Sequence, residues 1–272
     1  MEERGFNRRL GSGRRWLWSL RAWLPLLLLL TLFACASNER FVGMDGDQLW
    51  EAGVEAFEAG EWEEAIDALS RLSSQFAGHP SSPDARMYVA RAYIERGEHI
   101  TAAAEFERFL QLYPAHGRAP EASLGICEAY AQAAPHPQRD QTYTRRAADV
   151  CAETAQDFQG LTVSEQADSI RREMVYILGQ RRYEEGRFYQ RRDLHNSAIL
   201  VFEGMISEYR ETPWAARALL ALYRSYRELG WVEEADEAAQ RILAEFPDSD
   251  AARELRDEGV VGAEADDGGP SP

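Results

Sequence analysis

The sequence of 272 residues has no lysine, and its 30 basic side chains, all arginine, are outnumbered by 46 acidic ones. The formal net charge is −16, although the first 34 residues hold six arginines and only two glutamates. The rest of the chain therefore carries a charge of about −20. Because nucleic-acid binding depends on neutralising phosphates, this charge argues against nucleic acid as a partner.

The sequence also has few features typical of catalysis or metal binding. Its five histidines show none of the spacings of a metal site, and neither a glycine-rich phosphate loop nor a nucleophile elbow is present. Two glutamate pairs, Glu63-Glu64 and Glu233-Glu234, stand at predicted helix starts, where their charge complements the helix dipole. We therefore predict a non-enzymatic protein without a metal or a cofactor.

The start of the chain has the three parts of a secretory signal: an arginine-rich segment, an apolar run of about 12 residues that ends at Phe33, and a small-residue exit. The run is shorter than the roughly 20 residues that span a bilayer. The exit resembles the bacterial lipobox, in which a cysteine, here Cys35, receives diacylglycerol and then an N-acyl chain such as palmitate. An ordinary signal peptide with a stray cysteine is the alternative. We predict a signal peptide over 1–34, which is removed, and a lipidated tether over 35–46.

Sustained apolar and polar alternation, the mark of strands, is nearly absent, and residues 47–250 follow the pattern of paired amphipathic helices instead. Their repeat of about 34 residues is the tetratricopeptide pattern. Each pair leaves an apolar side uncovered until the next pair stacks on it, so we predict an all-α solenoid of about five helix pairs in a right-handed superhelix. Residues 251–272 are predicted to be a disordered acidic tail.

Particular residues carry the repeat pattern. Small residues at the predicted helix crossings allow close approach of the two helices in a pair; they include Gly53, Ala90 and Gly186. Glycines at the predicted ends of first helices favour a positive φ; they are Gly60, Gly97 and Gly230. The second copy is the clearest; it has Ala90, Tyr93, Gly97, Ala102, Phe106, Phe109, Tyr113 and Pro114.

Two cysteines remain after Cys35, and they occupy facing positions in the third repeat. Cys127 takes the small-residue place on the first helix, and Cys151 lies roughly opposite on the second. An exported protein folds in an oxidising compartment, so a disulfide between them is one hypothesis. Helix axes lie about 8–10 Å apart, whereas a bridge needs Cα atoms within about 7 Å. Two small buried thiols side by side are the alternative.

Certain first-helix positions line the concave groove of this repeat architecture, and they differ between the two halves of the chain. In repeats 1–3 they are mainly apolar, which predicts a groove for unfolded client segments. The candidate client groove consists of Trp50, Val54, Phe57, Met87, Ile94 and Leu124. In repeats 4–5 they include arginines that suit a carboxylate-bearing partner; these are Arg187, Arg224 and Arg227. Packing of the aromatic residues between helices is the alternative for the first half.

Two stretches resemble the BamD family of lipoproteins, which are subunits of the outer-membrane β-barrel assembly machinery. One is the segment from Arg139 to Thr144, before the second helix of repeat 3, and the other is the Gly-Arg-Phe-Tyr run from Gly186 to Tyr189. The resemblance covers roughly residues 32–250. Asp140, within the first stretch, is a candidate cap of the following helix.

The resemblance implies a non-enzymatic scaffold that aids folding and insertion of outer-membrane proteins. Its implied partners are the periplasmic domains of the barrel-forming subunit, sister lipoproteins and unfolded outer-membrane proteins. The implied location is the outer membrane, facing the periplasm, and Ala36 agrees with it because an aspartate there signals inner-membrane retention in such lipoproteins. A repeat lipoprotein that scaffolds a peptidoglycan or pilus-assembly complex is the alternative.

Overall fold

A computed structural model of the chain describes residues 40–259, and the predicted signal peptide, Cys35 and the last 13 residues lie outside this range. Within it the secondary structure is entirely helical. The helices are α1 (Gly46–Glu58), α2 (Trp62–Gln75), α3 (Ser82–Glu95), α4 (His99–Leu112), α5 (Ala119–Gln132), α6 (Thr142–Asp157), α7 (Thr162–Gln190), α8 (His195–Glu208), α9 (Pro213–Leu229), α10 (Val232–Glu245) and α11 (Asp250–Asp257). None of these helices is long and apolar enough to cross a membrane.

Each helix packs mainly against its neighbours in the chain, as the predicted solenoid requires. Five pairs follow one another: α1 with α2, α3 with α4, α5 with α6, α7 with α8, and α9 with α10. The all-α tetratricopeptide solenoid is therefore confirmed. Helix α7 departs from the pattern because it has 29 residues. Its first half packs on α5 and α6, and its second half provides the first helix of the fourth pair.

Glycines at the helix crossings have no room for a side chain. A Cβ built on Gly53 would lie 2.4 Å from Cγ of Leu69, and one on Gly186 would lie 2.3 Å from Cε1 of Phe202. Both neighbours are fully buried. These contacts explain why small residues recur at this position, since a larger one would push the two helices of a pair apart.

Gly186→Ala is expected to lower the free energy of unfolding by about 1–3 kcal/mol, because the added methyl group overpacks the site against Phe202. The matched control is Gly204→Ala in α8, where an added Cβ has no neighbour closer than 4.0 Å. This control is expected to raise stability by about 0.5–1 kcal/mol through its higher helix propensity. Urea unfolding of both variants measures the difference. Equal effects would contradict the packing argument.

The predicted turn glycines adopt the left-handed backbone conformation. Gly60, Gly97 and Gly230 have φ values of +76°, +74° and +75°, and each follows the first helix of a pair. The fourth pair has no glycine there, and Asp193 takes the conformation with φ of +58°. Aspartate tolerates this region better than most residues, which accounts for the substitution.

The predicted limits of the array are wrong at both ends. Phe41, assigned to the tether over 35–46, is 5% exposed and packs with Leu49 and Leu72 in the core of the first repeats. At the other end, residues 251–257 belong to α11 and not to a disordered tail. Ala251, Ala252 and Leu255 are buried against the fifth pair. The apolar face of this short, acidic helix covers the C-terminal end of the solenoid, which would otherwise be exposed.

Candidate functional site

A cavity of about 650 Å³ lies between α3, α5 and α7. We call it the first cavity. Its floor is apolar and its rim is charged; the lining residues are Phe57, Arg91, Ile94, Glu95, Phe106, Glu121, Leu124, Gly125, Glu128, Ala131, Gln132, Ile170, Glu173 and Met174. Phe106 and Met174 are only 3% exposed, whereas Ile94 and Ile170 are half-buried and reachable from the opening. The cavity thus offers an apolar surface beneath carboxylates.

The charges on the rim are only partly paired. Glu121 forms ion pairs with both Arg91 and Arg118, and Arg118 also reaches Asp84 at 2.6 Å. Burial lowers the pKa of Arg91, and the nearby Arg118 guanidinium lowers it further. Burial raises the pKa of Glu128, and the attraction of Arg91 opposes this shift without cancelling it. Within residues 40–259 Glu128 forms no ion pair, so the charges on the rim are only partly matched.

The structure brings together only half of the residues predicted for the client groove. Phe57, Ile94 and Leu124 line the first cavity, although Leu124 is just 8% exposed. Met87 was wrongly placed: it is fully buried, because it packs in the core shared by the second and third repeats.

Trp50 and Val54, the other two predicted groove residues, lie outside the lining of the first cavity. Both are half-buried. The Trp50 ring packs edge-on against Tyr88 with centroids 5.6 Å apart, and Phe57 contacts the same tyrosine at 4.9 Å. The alternative that these aromatics pack between helices therefore describes Trp50, while Phe57 contributes to both the packing and the cavity.

The sequence-based interpretation missed the acidic character of the first cavity. Glu95 and Glu173 line it together with Glu121 and Glu128. Glu173 comes from α7, and its place depends on the first half of that helix crossing α5. The unusual length of α7 is the one signal in the sequence that points to an additional wall.

A second cavity of about 330 Å³ lies between α7, α9 and α11. It is lined by Tyr183, Arg187, Arg217, Leu220, Ala221, Arg224, Asp250, Ala251 and Glu254. Two of the three predicted partner arginines, Arg187 and Arg224, are brought together here. Arg227 lies outside the lining, with its guanidinium 5.9 Å from the Tyr223 ring centroid. Arg217 was not predicted, although it holds the same position in its repeat as Glu121 does in the third.

The last helix places carboxylates against these arginines. Nη2 of Arg224 donates to Oε1 of Glu254 at 2.5 Å and to Oε1 of Glu258 at 2.8 Å. Arg217 is 3.8 Å from Asp250. Burial alone would lower the pKa of Arg224, but its hydrogen bonds to the two glutamates raise it overall. The second cavity is therefore already partly neutralised from within the chain.

A disulfide joins Cys127 of α5 to Cys151 of α6, with Cα atoms 5.0 Å apart. Both residues are fully buried. The Cα separation is within the limit of about 7 Å that a bridge allows. The bond ties α6 to the helix that supplies Leu124 and Glu128 to the first cavity.

The segment from Arg139 to Thr144 is held by its own hydrogen bonds. The Nε2 group of the buried Gln141 donates to the carbonyl oxygens of His136 and Arg139, at 3.0 and 3.1 Å. The Thr144 hydroxyl donates to Oε1 of Gln141 at 2.7 Å. Asp140 accepts the backbone N–H of Thr142, the first residue of α6, at 3.2 Å. The N-cap residue is Gln141, however, so the prediction that Asp140 caps the helix is wrong. These contacts give the segment a structural role.

Across residues 40–259, no group of three or more histidine, cysteine, aspartate or glutamate side chains could hold a metal ion.

The known proteins that match this sequence agree with the architecture described above. The family YfiO, described as outer membrane lipoprotein, matches residues 43–243. The chain belongs to this family. A relative in Caulobacter vibrioides, described as outer membrane protein assembly factor BamD, is 26% identical over 222 residues, covering 78% of this chain and 71% of that protein.

Solved structures resemble the chain only loosely. The TPR2AB domain of yeast Sti1, solved as a pHSP90 complex, has a TM-score of 0.43 at 15% identity and covers 79% of this chain and 84% of its own. The protein TTC0263 of Thermus thermophilus has a TM-score of 0.33 at 17% identity and covers 79% of this chain and 98% of its own. At these scores the likenesses carry no argument about function.

Proposed function

We propose that this protein is a non-enzymatic scaffold of the outer-membrane β-barrel assembly machinery. Lipid on Cys35 anchors it to the outer membrane on the periplasmic side. The second cavity binds acidic surface on the periplasmic domains of the barrel-forming subunit, and the first cavity holds segments of unfolded outer-membrane proteins. Sister lipoproteins of the same machinery are further partners.

The observation that carries this proposal is the family match over residues 43–243, which spans nearly the whole array. The relative whose name describes outer-membrane protein assembly supports the process. The different chemistry of the two cavities supports the assignment of a different partner to each. They use equivalent positions of the repeat, but one presents carboxylates over an apolar floor and the other presents arginines. A scaffold with two chemically different sites suits two different partners.

The proposal is tested by isolating the lipidated protein from its native membranes in mild detergent and identifying the copurified proteins by mass spectrometry. A barrel-forming subunit with periplasmic domains is the expected main partner. Peptidoglycan- or pilus-assembly proteins in place of any β-barrel protein would contradict the proposal and favour the alternative scaffold.

Arg187→Met is expected to reduce recovery of the barrel-forming subunit several-fold, since it removes one positive charge from the second cavity and keeps the apolar stem. Arg187 is preferable to Arg224, whose loss would also release α11. The matched control is Arg108→Met in α4, an exposed arginine that lines neither cavity. Equal recovery with both variants would show that the second cavity is not the contact.

A further inference from the structure

The first cavity combines an apolar floor with an excess of negative charge, and this combination selects among ligands. Resting on the proposed function, we infer that it binds unfolded segments in which an aromatic or aliphatic side chain stands next to an arginine or lysine. Segments with an acidic neighbour bind more weakly. The preference for a cation is a property of this chain's own rim carboxylates.

The charge balance of the rim gives the direction of the preference. Four carboxylates line the cavity with one arginine, and that arginine already shares Glu121 with Arg118. Within the described part of the chain, Glu95 and Glu173 form no ion pair. Glu128 feels only the attraction of Arg91 at a distance. Three negative charges therefore face the opening without a matching cation.

The cavity floor explains why charge alone does not suffice. The half-buried side chains of Phe57, Ile94 and Ile170 form a surface that one aromatic or branched side chain can cover. The volume of about 650 Å³ is well above that of a single side chain, so a stretch of a few residues fits. A ligand that placed its own carboxylate here would bring like charges together over a surface of low dielectric, which is costly.

The three unmatched carboxylates come from three different helices. Glu95 ends α3, Glu128 lies in the second half of α5, and Glu173 lies in the first half of α7. Because the surrounding helices are packed in place, the backbone positions of the three glutamates are fixed before a ligand arrives. A ligand therefore meets the three negative charges without a rearrangement of the helices.

The test uses three fluorescent nonapeptides that differ at one residue. Each has a central phenylalanine, followed by arginine in the first, glutamine in the second and glutamate in the third. The mature lipidated protein is held in mild detergent, and binding is followed by fluorescence anisotropy at low and high salt. The arginine peptide is expected to bind about tenfold tighter than the glutamate peptide at low salt. High salt should reduce this difference.

The variant Glu128→Gln/Glu173→Gln removes two of the unmatched charges and is expected to abolish the preference. Its matched control, Glu153→Gln/Glu237→Gln, makes the same change in net charge at exposed positions that line neither cavity. The control should keep the preference. If it lost the preference equally, net charge and not the first cavity would be responsible, and the inference would be overturned.

A fourth peptide keeps the arginine but replaces phenylalanine by alanine. Weaker binding is expected, because the apolar floor is then left uncovered. Equal binding would mean that a simple cation is the ligand, and equal affinities of the first three peptides, or no binding at all, would also overturn the inference. The scaffold role is tested separately by the proteins that copurify from native membranes, and failure of the peptide test would remove only the assignment of clients to the first cavity.

Discussion

Replacement of both Cys127 and Cys151 by alanine is expected to lower the free energy of unfolding by about 3 kcal/mol. The bond closes a loop across a sequence separation of 24 residues, and a cross-link of this span removes much of the freedom of the unfolded chain. Alanine is the right replacement because both sites are fully buried. A serine hydroxyl there would add the cost of an unpaired buried polar group.

The measurement is urea unfolding of the mature protein with and without a reducing agent. Reduction should destabilise the native protein by about the same amount as the double substitution, and it should have no further effect on the variant. Hydrogen exchange in α5 and α6 should accelerate more than in α9 and α10, which lie far from the bond along the chain. Two free thiols in the denatured, unreduced protein would contradict the presence of the bond.

Loss of the disulfide should also affect peptide binding at the first cavity. Helix α5 supplies Leu124 and Glu128 to its wall, and the bond ties that helix to α6. Peptide binding at the first cavity is therefore expected to weaken on reduction, while contacts through the second cavity persist. This contrast separates a local effect of the bond from general unfolding.

The solenoid could be predicted from the sequence because its signals are local. A glycine such as Gly97 ends a helix through its own backbone, and a small residue such as Gly186 marks a crossing within one helix pair. Both features recur at a fixed spacing, so each copy supports the others. Helix α11 could not be predicted in this way, because it has only eight residues and lies outside the repeat.

The chemistry of the cavities could be predicted only in part, because it depends on contacts between distant helices. Met87 has the expected position in its helix, but the neighbouring repeats cover it completely. Glu173 reaches the first cavity because α7 begins well before the fourth repeat. The pairing of Arg224 with Glu254 requires α11, which was predicted to be disordered. Repeat position alone does not contain this information.

Cys35→Ala is expected to remove the protein from the outer-membrane fraction, because the acyl chains have no other attachment site. A lipidated cysteine holds a protein through its acyl chains, with about 0.8 kcal/mol for each buried methylene, and two or more chains are needed for firm anchoring. The fold should be unchanged, because the first described core residue, Phe41, lies beyond the substituted site. Membrane fractionation and circular dichroism measure the two effects. Retention in the outer-membrane fraction would contradict anchoring through this residue.

In the proposed anchored state, the burial of Phe41 limits how far the array can move from the bilayer. A tether that ended at residue 46 would reach about 40 Å, whereas the six residues from Cys35 to Phe41 reach at most about 20 Å. Inserting about 20 glycine and serine residues after Ala36 should keep the protein in the membrane fraction but let the array move away from the surface. If closeness to the membrane matters for client assembly, this variant should lower the yield of folded outer-membrane proteins. A normal yield would show that the lipid serves only to retain the protein.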